Sequence, residues 1–159
     1  MAGKHTSTEE QFSRACMLLD EGRARAAFHL FFAAARAGHL EAQSNLGYLF
    51  DTGTGVRRSR IEALHWYRKA ARRGDPAAAN NIGALFRDEG RPRLAVRWFE
   101  KAVALGNADA LLEMAKLYAG PLKDSRMAMR LLKKVLTAKR VAVVSQEQAQ
   151  QLLERLEGP

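Results

Sequence analysis

The chain has 159 residues, 47% of them hydrophobic, with a formal net charge of +9 and a pI near 10.2. That is one domain's worth of chain, apolar enough for a continuous core without covalent staples. The single cysteine, Cys16, excludes an intrachain disulfide and favours a reducing compartment, while the basic balance favours acidic partners without setting the fold.

Residues 1–7 lack the apolar stretch of a signal peptide and read as a disordered N-terminus. Thr8 with Gln11 is expected to cap a first helix that runs to about Asp20 and carries Ala15 and Leu18 on one face. Phe12, Cys16 and Leu19 lie in the same stretch, as ordinary core or as an apolar pocket, and Cys16 reads as a small packing residue. Gly22 turns the chain into a second helix, with Ala27, Leu30, Phe31 and Ala34 in register and Gly38 at its end. The run 24–37 is the most apolar in the sequence. It contains two arginines and His29 and is too short to span a bilayer, so a cytoplasmic protein with no membrane partner is expected.

The stretch from Glu41 to Asp75 is the clearest. Ala42, Leu46, Gly47 and Phe50 fall on one face of a helix, and Ala63, Trp66, Tyr67, Ala70 and Ala71 on one face of another. Between them Gly53-Thr54-Gly55-Val56 breaks the first helix. Ser59 with Glu62 opens the second as a capping box, and Gly74 closes it. The pattern then repeats. From Ala42 to Ala78 is a step of 36, which carries Leu46, Gly47 and Phe50 to Ile82, Gly83 and Phe86; from Ala63 to Ala95 is a step of 32, which carries Trp66, Tyr67, Ala70 and Gly74 to Trp98, Phe99, Ala102 and Gly106. The four missing residues lie in the turn, now Glu89-Gly90-Arg91-Pro92. A further repeat follows, with Ala110, Met114, Ala115 and Tyr118, then Ala128, Leu131, Leu132 and Val135. Asp75-Pro76, Pro92, Asn107 and Asp124 mark helix starts. Val141 to Val144 reads as an apolar connector packed on the last pair. Ser145 with Gln148 reads as the box that opens a final helix bearing Leu152, Leu153 and Leu156.

Periods of this length mean stacked two-helix units. The pattern A-x-x-x-L-G-x-x-[YF]-x-x-G-x-G-V followed by A-x-x-W-Y-x-K-A-A-x-x-G resembles the Sel-one-like repeat, a relative of the tetratricopeptide repeat. Here it is carried by Ala42, Leu46, Gly47, Phe50, Gly53, Gly55, Val56, Ala63, Trp66, Tyr67, Lys69, Ala70, Ala71 and Gly74. Trp98-Phe99-Glu100-Lys101-Ala102 carries it in the next repeat, and the outer two repeats are degenerate. The resemblance implies an all-α fold: an α/α solenoid of about four two-helix repeats (8–38, 39–74, 75–106, 107–138) with a connector and a C-terminal capping helix over 139–159. It implies a scaffold that binds other proteins and no enzymatic activity. The Ala, Arg and Gly content suggests a GC-rich, bacterial coding sequence.

Candidate chemistry is sparse. The Gly-Thr-Gly-Val turn matches no phosphate-loop spacing and follows a helix, not a strand. His5, His29, His39 and His65 never occur at i, i+3 or i+4 and read as surface residues, so no metal or other cofactor and no small-molecule substrate is expected. In tetratricopeptide relatives the first helix of each pair lines the concave groove. Carried over, the groove would hold Ser44, Asn45, Tyr48 and Asp51, then Asn80, Asn81, Ala84 and Arg87, then Leu112, Glu113 and Lys116. Asn45 and Asn81 stand one period apart. An asparagine amide both donates and accepts, which suits the backbone of an extended segment, with Arg87 and Lys116 left for a carboxylate; the alternative is that the asparagines are simply solvated. Arg57, Arg58, Arg60, Arg68 and Arg72, and again Arg91, Arg93 and Arg97, form a basic outer face. That face is a solvated surface, a dock for an acidic protein, or a nucleic-acid or polyanion site. The last is the alternative function, disfavoured because no exposed aromatics interleave with the cations.

Overall fold

The structure, a computed structural model, describes residues 7–158. The described residues form nine α-helices and no strand. They follow in order as α1 (Thr8–Asp20), α2 (Ala24–Arg36), α3 (Leu40–Thr52), α4 (Arg60–Arg72), α5 (Pro76–Asp88), α6 (Pro92–Ala104), α7 (Ala110–Ala119), α8 (Ser125–Thr137) and α9 (Val143–Glu157). These are four sequential pairs and a terminal helix, as the periodicity requires. The chain divides into two compact halves, Met1–Ala78 and Ala79–Pro159, and the division falls within α5.

In the N-terminal half α1 packs on α2, α2 on α3 and α3 on α4. The α3–α4 pair shows why the repeat needs its residue types. Ala42, Leu46, Ala63, Tyr67 and Ala70 are all fully buried. A Cβ placed on Gly47 would stand 2.5 Å from Cδ1 of Tyr67, so the ring lies directly on the α3 backbone. Trp66 is 5% exposed and meets Phe32 of α2 edge-on at 6.0 Å, so it joins one repeat to the one before it. In the C-terminal half the same contact recurs. A Cβ on Gly83 of α5 would stand 2.6 Å from the fully buried Phe99 of α6. The rest of that half follows the same order, α6 on α7, α7 on α8 and α8 on α9.

The turns are closed by specific bonds. Gly53 takes a left-handed conformation (φ 77°) and donates its N–H to the Leu49 carbonyl, ending α3. Gly55 is also left-handed, and a Cβ there would lie 2.3 Å from the carbonyl oxygen of Ala24 at the start of α2. The Gly-Thr-Gly-Val stretch is therefore an inter-helix turn pressed onto backbone. Ser59 Oγ accepts from the Glu62 N–H at 3.3 Å, and Asp75 Oδ1 accepts from the N–H groups of Ala77 and Ala78. Gln43, a buried polar side chain, donates to the Ala35 carbonyl at 3.1 Å and accepts from Arg73, which also donates to the Gly38 carbonyl. This clasp satisfies both ends of the buried amide and brings a cation to the carbonyl-rich end of α2.

Several expected boundaries shift. The reading of residues 1–7 as disordered falls outside the described residues except at Ser7. Ser7, not Thr8, is the N-cap of α1: its Oγ accepts from the Glu10 N–H and Glu10 bonds back to the Ser7 N–H. Asn107 does not cap α7, which starts at Ala110 after Asp109. The Asp109 carboxylate instead accepts from the backbone N–H of Ala142 at 3.0 Å. That bond helps hold Ala142 as the N-cap of α9, so the last helix starts at Val143 and Ser145 lies inside its first turn. Val143 and Val144 are accordingly helical and exposed, instead of packing as a connector. His39 is also no surface residue. It is the N-cap of α3, stacks on Phe12 with centroids 4.4 Å apart, accepts the Ala42 N–H on Nδ1 and reaches Glu9 through Nε2.

Gly47→Ala and Gly83→Ala each force a methyl into an aromatic ring and should destabilise the chain by about 1–3 kcal/mol in chemical denaturation, the usual range for overpacking; unchanged midpoints for both would disprove the contact. Trp66→Ala should cost about 3–5 kcal/mol, against a small effect for His65→Ala because His65 is exposed; thermal melts of the two variants give the comparison.

Candidate binding surfaces

On α3, Ser44, Asn45 and Asp51 are half-buried and Tyr48 is 50% exposed, so this face of the N-terminal half does reach solvent. Its polar groups are partly committed. The Asn45 Nδ2 donates to the Glu41 carbonyl one turn back at 2.9 Å. Arg58 donates through Nε to the Asp51 carbonyl at 2.6 Å, and its guanidinium stands 3.9 Å from the Asp51 carboxylate. Tyr48 is the side chain here with most of its surface available.

In the C-terminal half, Asn80 and Asn81 are half-buried on α5, and neither ties its side-chain amide to another described residue. Arg87 is exposed and engages two carboxylates, Asp88 at 2.9 Å and Glu113. Burial works against its charge, but the hydrogen bonds and charges of Asp88 and Glu113 outweigh it and raise the Arg87 pKa above its ordinary value. Lys116 binds the other Glu113 oxygen at 2.8 Å and Gln148 of α9 at 3.0 Å. The two cations expected to receive a partner's carboxylate therefore already share one from the chain itself. Leu112 corrects the expected groove outright: it is 3% exposed and belongs to the core, because its position on α7 faces inward. Gln148, expected from the sequence to form a capping box with Ser145, instead accepts from Lys116 across helices, a contact that no repeat register marks on the final helix.

The basic face also resolves into parts. In the N-terminal half Arg57, Arg58, Arg68 and Arg72 are exposed, while Arg60 is half-buried and engaged. In the C-terminal half Arg97 is exposed, Arg91 lies 5.2 Å over the Phe86 ring and 3.6 Å from Glu89, and Arg93 borders a hollow of about 430 Å³ with Pro92, Pro121 and Leu122. Lys69 covers Trp66 at 4.8 Å and Lys101 covers Trp98 at 5.1 Å. These aromatic faces are thus occupied by cations of the chain.

Among the described residues no group of three or more His, Cys, Asp or Glu is placed to hold a metal. His29 and His65 are exposed, and His5 lies outside the described residues. Burial, reinforced by Asp20, raises the pKa of the Cys16 thiol, which disfavours the reactive thiolate. Among the described residues no helix is long and apolar enough to cross a membrane.

No curated protein matches the chain. Among solved structures it is similar to a Sel1 repeat protein from Oxalobacter formigenes, at 24% identity and a TM-score of 0.72, over 93% of this chain and 62% of that one. A tetratricopeptide repeat protein from Parabacteroides merdae is similar at 20% identity and a TM-score of 0.71, over 95% and 60%. An immunity protein from Pseudomonas aeruginosa is similar at 26% identity and a TM-score of 0.56, over 79% and 51%. The chain thus spans 51–62% of the length of these bacterial relatives. The Sel1 repeat pattern itself matches residues 23–39, 40–75, 76–107 and 108–134. With four repeats and a terminal helix, the chain belongs to the Sel1 repeat family, whose fold is a tetratricopeptide-like helical solenoid.

Proposed function

We propose that the chain is a non-enzymatic scaffold that holds a segment of another protein on the solvent-facing side of a first helix, each half offering its own polar face. The observation that carries this reading is the polar face left outside the core on α3 in the N-terminal half and, separately, on α5 in the C-terminal half. Tyr48 is half exposed on one helix, and on the other Asn80 and Asn81 keep their amides for an outside partner. An amide offers a donor and an acceptor together, the pair a peptide backbone needs. The Sel1 repeat is generally an interaction module, and the likeness to an immunity protein supports a role for this chain toward another protein. A segment carrying a carboxylate would have to compete with Glu113 for Arg87 and Lys116, so these cations favour a partner that displaces that pairing. The lone, deactivated Cys16 suits a cytoplasmic setting.

A partner crosslinked and purified from the native host provides the assay. Each net hydrogen bond is worth about 0.5–1.5 kcal/mol. The double variant Asn45→Ala/Asn81→Ala should therefore weaken that partner by roughly tenfold, at about 1.4 kcal/mol per decade, with little change in melting temperature. Reversing Arg68 and Arg72 to Glu should alter mainly the association rate and its salt dependence. If the reversal abolishes binding while the asparagine pair is silent, the partner sits on the basic face and the polyanion reading takes over.

A further inference from the structure

Within each half two second helices flank a groove over the first helix between them, α2 and α4 over α3, and α6 and α8 over α7. In the N-terminal half the groove between α2 and α4 is filled by aromatics. Phe28 meets Phe50 at 5.4 Å and Phe32 at 6.0 Å, and Phe32 meets Trp66 at 6.0 Å. The step of 68 that carries Ala27 to Ala95 and Ala42 to Ala110 carries Phe28, Phe32 and Phe50 to Val96, Glu100 and Tyr118; the step of 65 that carries Ala63 to Ala128 carries Trp66 to Leu131. One aromatic remains of four, and a carboxylate stands in the place of Phe32. In the C-terminal half the groove between α6 and α8 is accordingly open, a cavity of about 350 Å³. Its apolar wall includes Met114, Met127 and Leu131, with Glu100 on one rim and Arg130 and Lys134 on the other.

The α8 rim is strongly polarised. Helix α8 contains four cations and no carboxylate. Arg126, Arg130 and Lys134 follow at four-residue spacing, a row with a pitch of about 6 Å, and all three are exposed. Lys133 is turned the other way, to Glu157 of α9 at 3.3 Å. None of the three in the row pairs with a carboxylate of another described residue.

We propose that this groove docks an acidic amphipathic helix of a partner protein. One bulky apolar side chain enters the cavity, and carboxylates at four-residue spacing run along Arg126, Arg130 and Lys134. The pitch of the cation row is that of one face of a helix. The methionines supply an adaptable apolar wall of the kind that receives helix anchors. Glu100 keeps acids off the α6 rim, so the carboxylates lie on the α8 side alone. A nucleic-acid backbone would match the cations but not an apolar cavity with a carboxylate at its edge. The proposal rests on the reading of the chain as a protein-binding repeat, but it uses a different face from the asparagines.

The 159-residue chain is titrated into a fluorescein-labelled amphipathic helical peptide with Glu at every fourth position and a central Phe, and separately into a single-stranded RNA. The wild-type chain should bind the peptide in preference to the RNA. Arg130→Glu/Lys134→Glu should weaken the peptide by at least about tenfold. Glu100→Phe, which restores the aromatic that fills the N-terminal groove, should weaken it about as much while leaving the melting temperature unchanged or higher. Replacing the peptide's Phe by Ser should have the same effect. Absence of peptide binding overturns the proposal, as does a pattern in which the charge reversal alone matters or the RNA binds as tightly as the peptide. Peptide binding lost only in Asn45→Ala/Asn81→Ala also overturns it, and leaves the first-helix reading standing, because those substitutions leave the α6–α8 groove intact.

Discussion

The structure depends on a glycine meeting an aromatic ring. At Gly47 and Gly83 the second helix of a pair lays the ring of Tyr67 or Phe99 directly against the backbone of the first helix, where a methyl would stand 2.5–2.6 Å from ring carbons. Only a residue without a Cβ allows that approach. Once the backbones are so close, the neighbouring positions must be small as well, and Ala42, Ala63 and Ala70 around the first contact are fully buried, as are Ala78, Ala95 and Ala102 around the second. The alternation of alanine and aromatic along the chain is the consequence of one contact repeated.

That tight pairing constrains what lies between pairs. Trp66 reaches Phe32 of the preceding pair, and the Gly-Thr-Gly-Val turn presses Gly55 onto the Ala24 carbonyl. Gln43 and Arg73 tie carbonyls at the end of α2 to the ends of the next pair. Such bonds matter because a buried amide or carbonyl without a partner costs free energy comparable to a lost hydrogen bond. In the C-terminal half the shorter Glu89–Pro92 turn needs no such loop, and Gly90 with Pro92 at the helix start makes it directly.

The surface chemistry follows from where cations find internal partners. Arg87 and Lys116 converge on Glu113, and Arg91 on Glu89, whereas the row on α8 has none. A net charge of +9 is therefore not uniform in effect: Arg87, Lys116 and Arg91 are locally neutralised, whereas Arg126, Arg130 and Lys134 stand beside an apolar groove with no carboxylate partner among the described residues. Electrostatic steering acts through such uncompensated patches.

The sequence by itself determined the helices, their pairing and their repeat register, because period-3.6 apolar faces, small–large alternation and glycine or proline at the ends are local signals. It marked Gly47, Tyr67, Trp66 and their successors as core for the same reason. It did not separate Leu112 from its polar neighbours, since an apolar residue in a degenerate repeat has no register strong enough to assign its face. Nor did it show that Ser7 caps α1 or that Asp109 holds Ala142, because a cap is decided by which nearby carboxylate or hydroxyl reaches the amide. The neutralisation of Arg87 and Lys116 by Glu113, the stacking of His39 on Phe12 and the open groove beside α8 belong to tertiary structure alone: each depends on side chains from different helices meeting in space, and distances between helices are not written in the spacing along one of them.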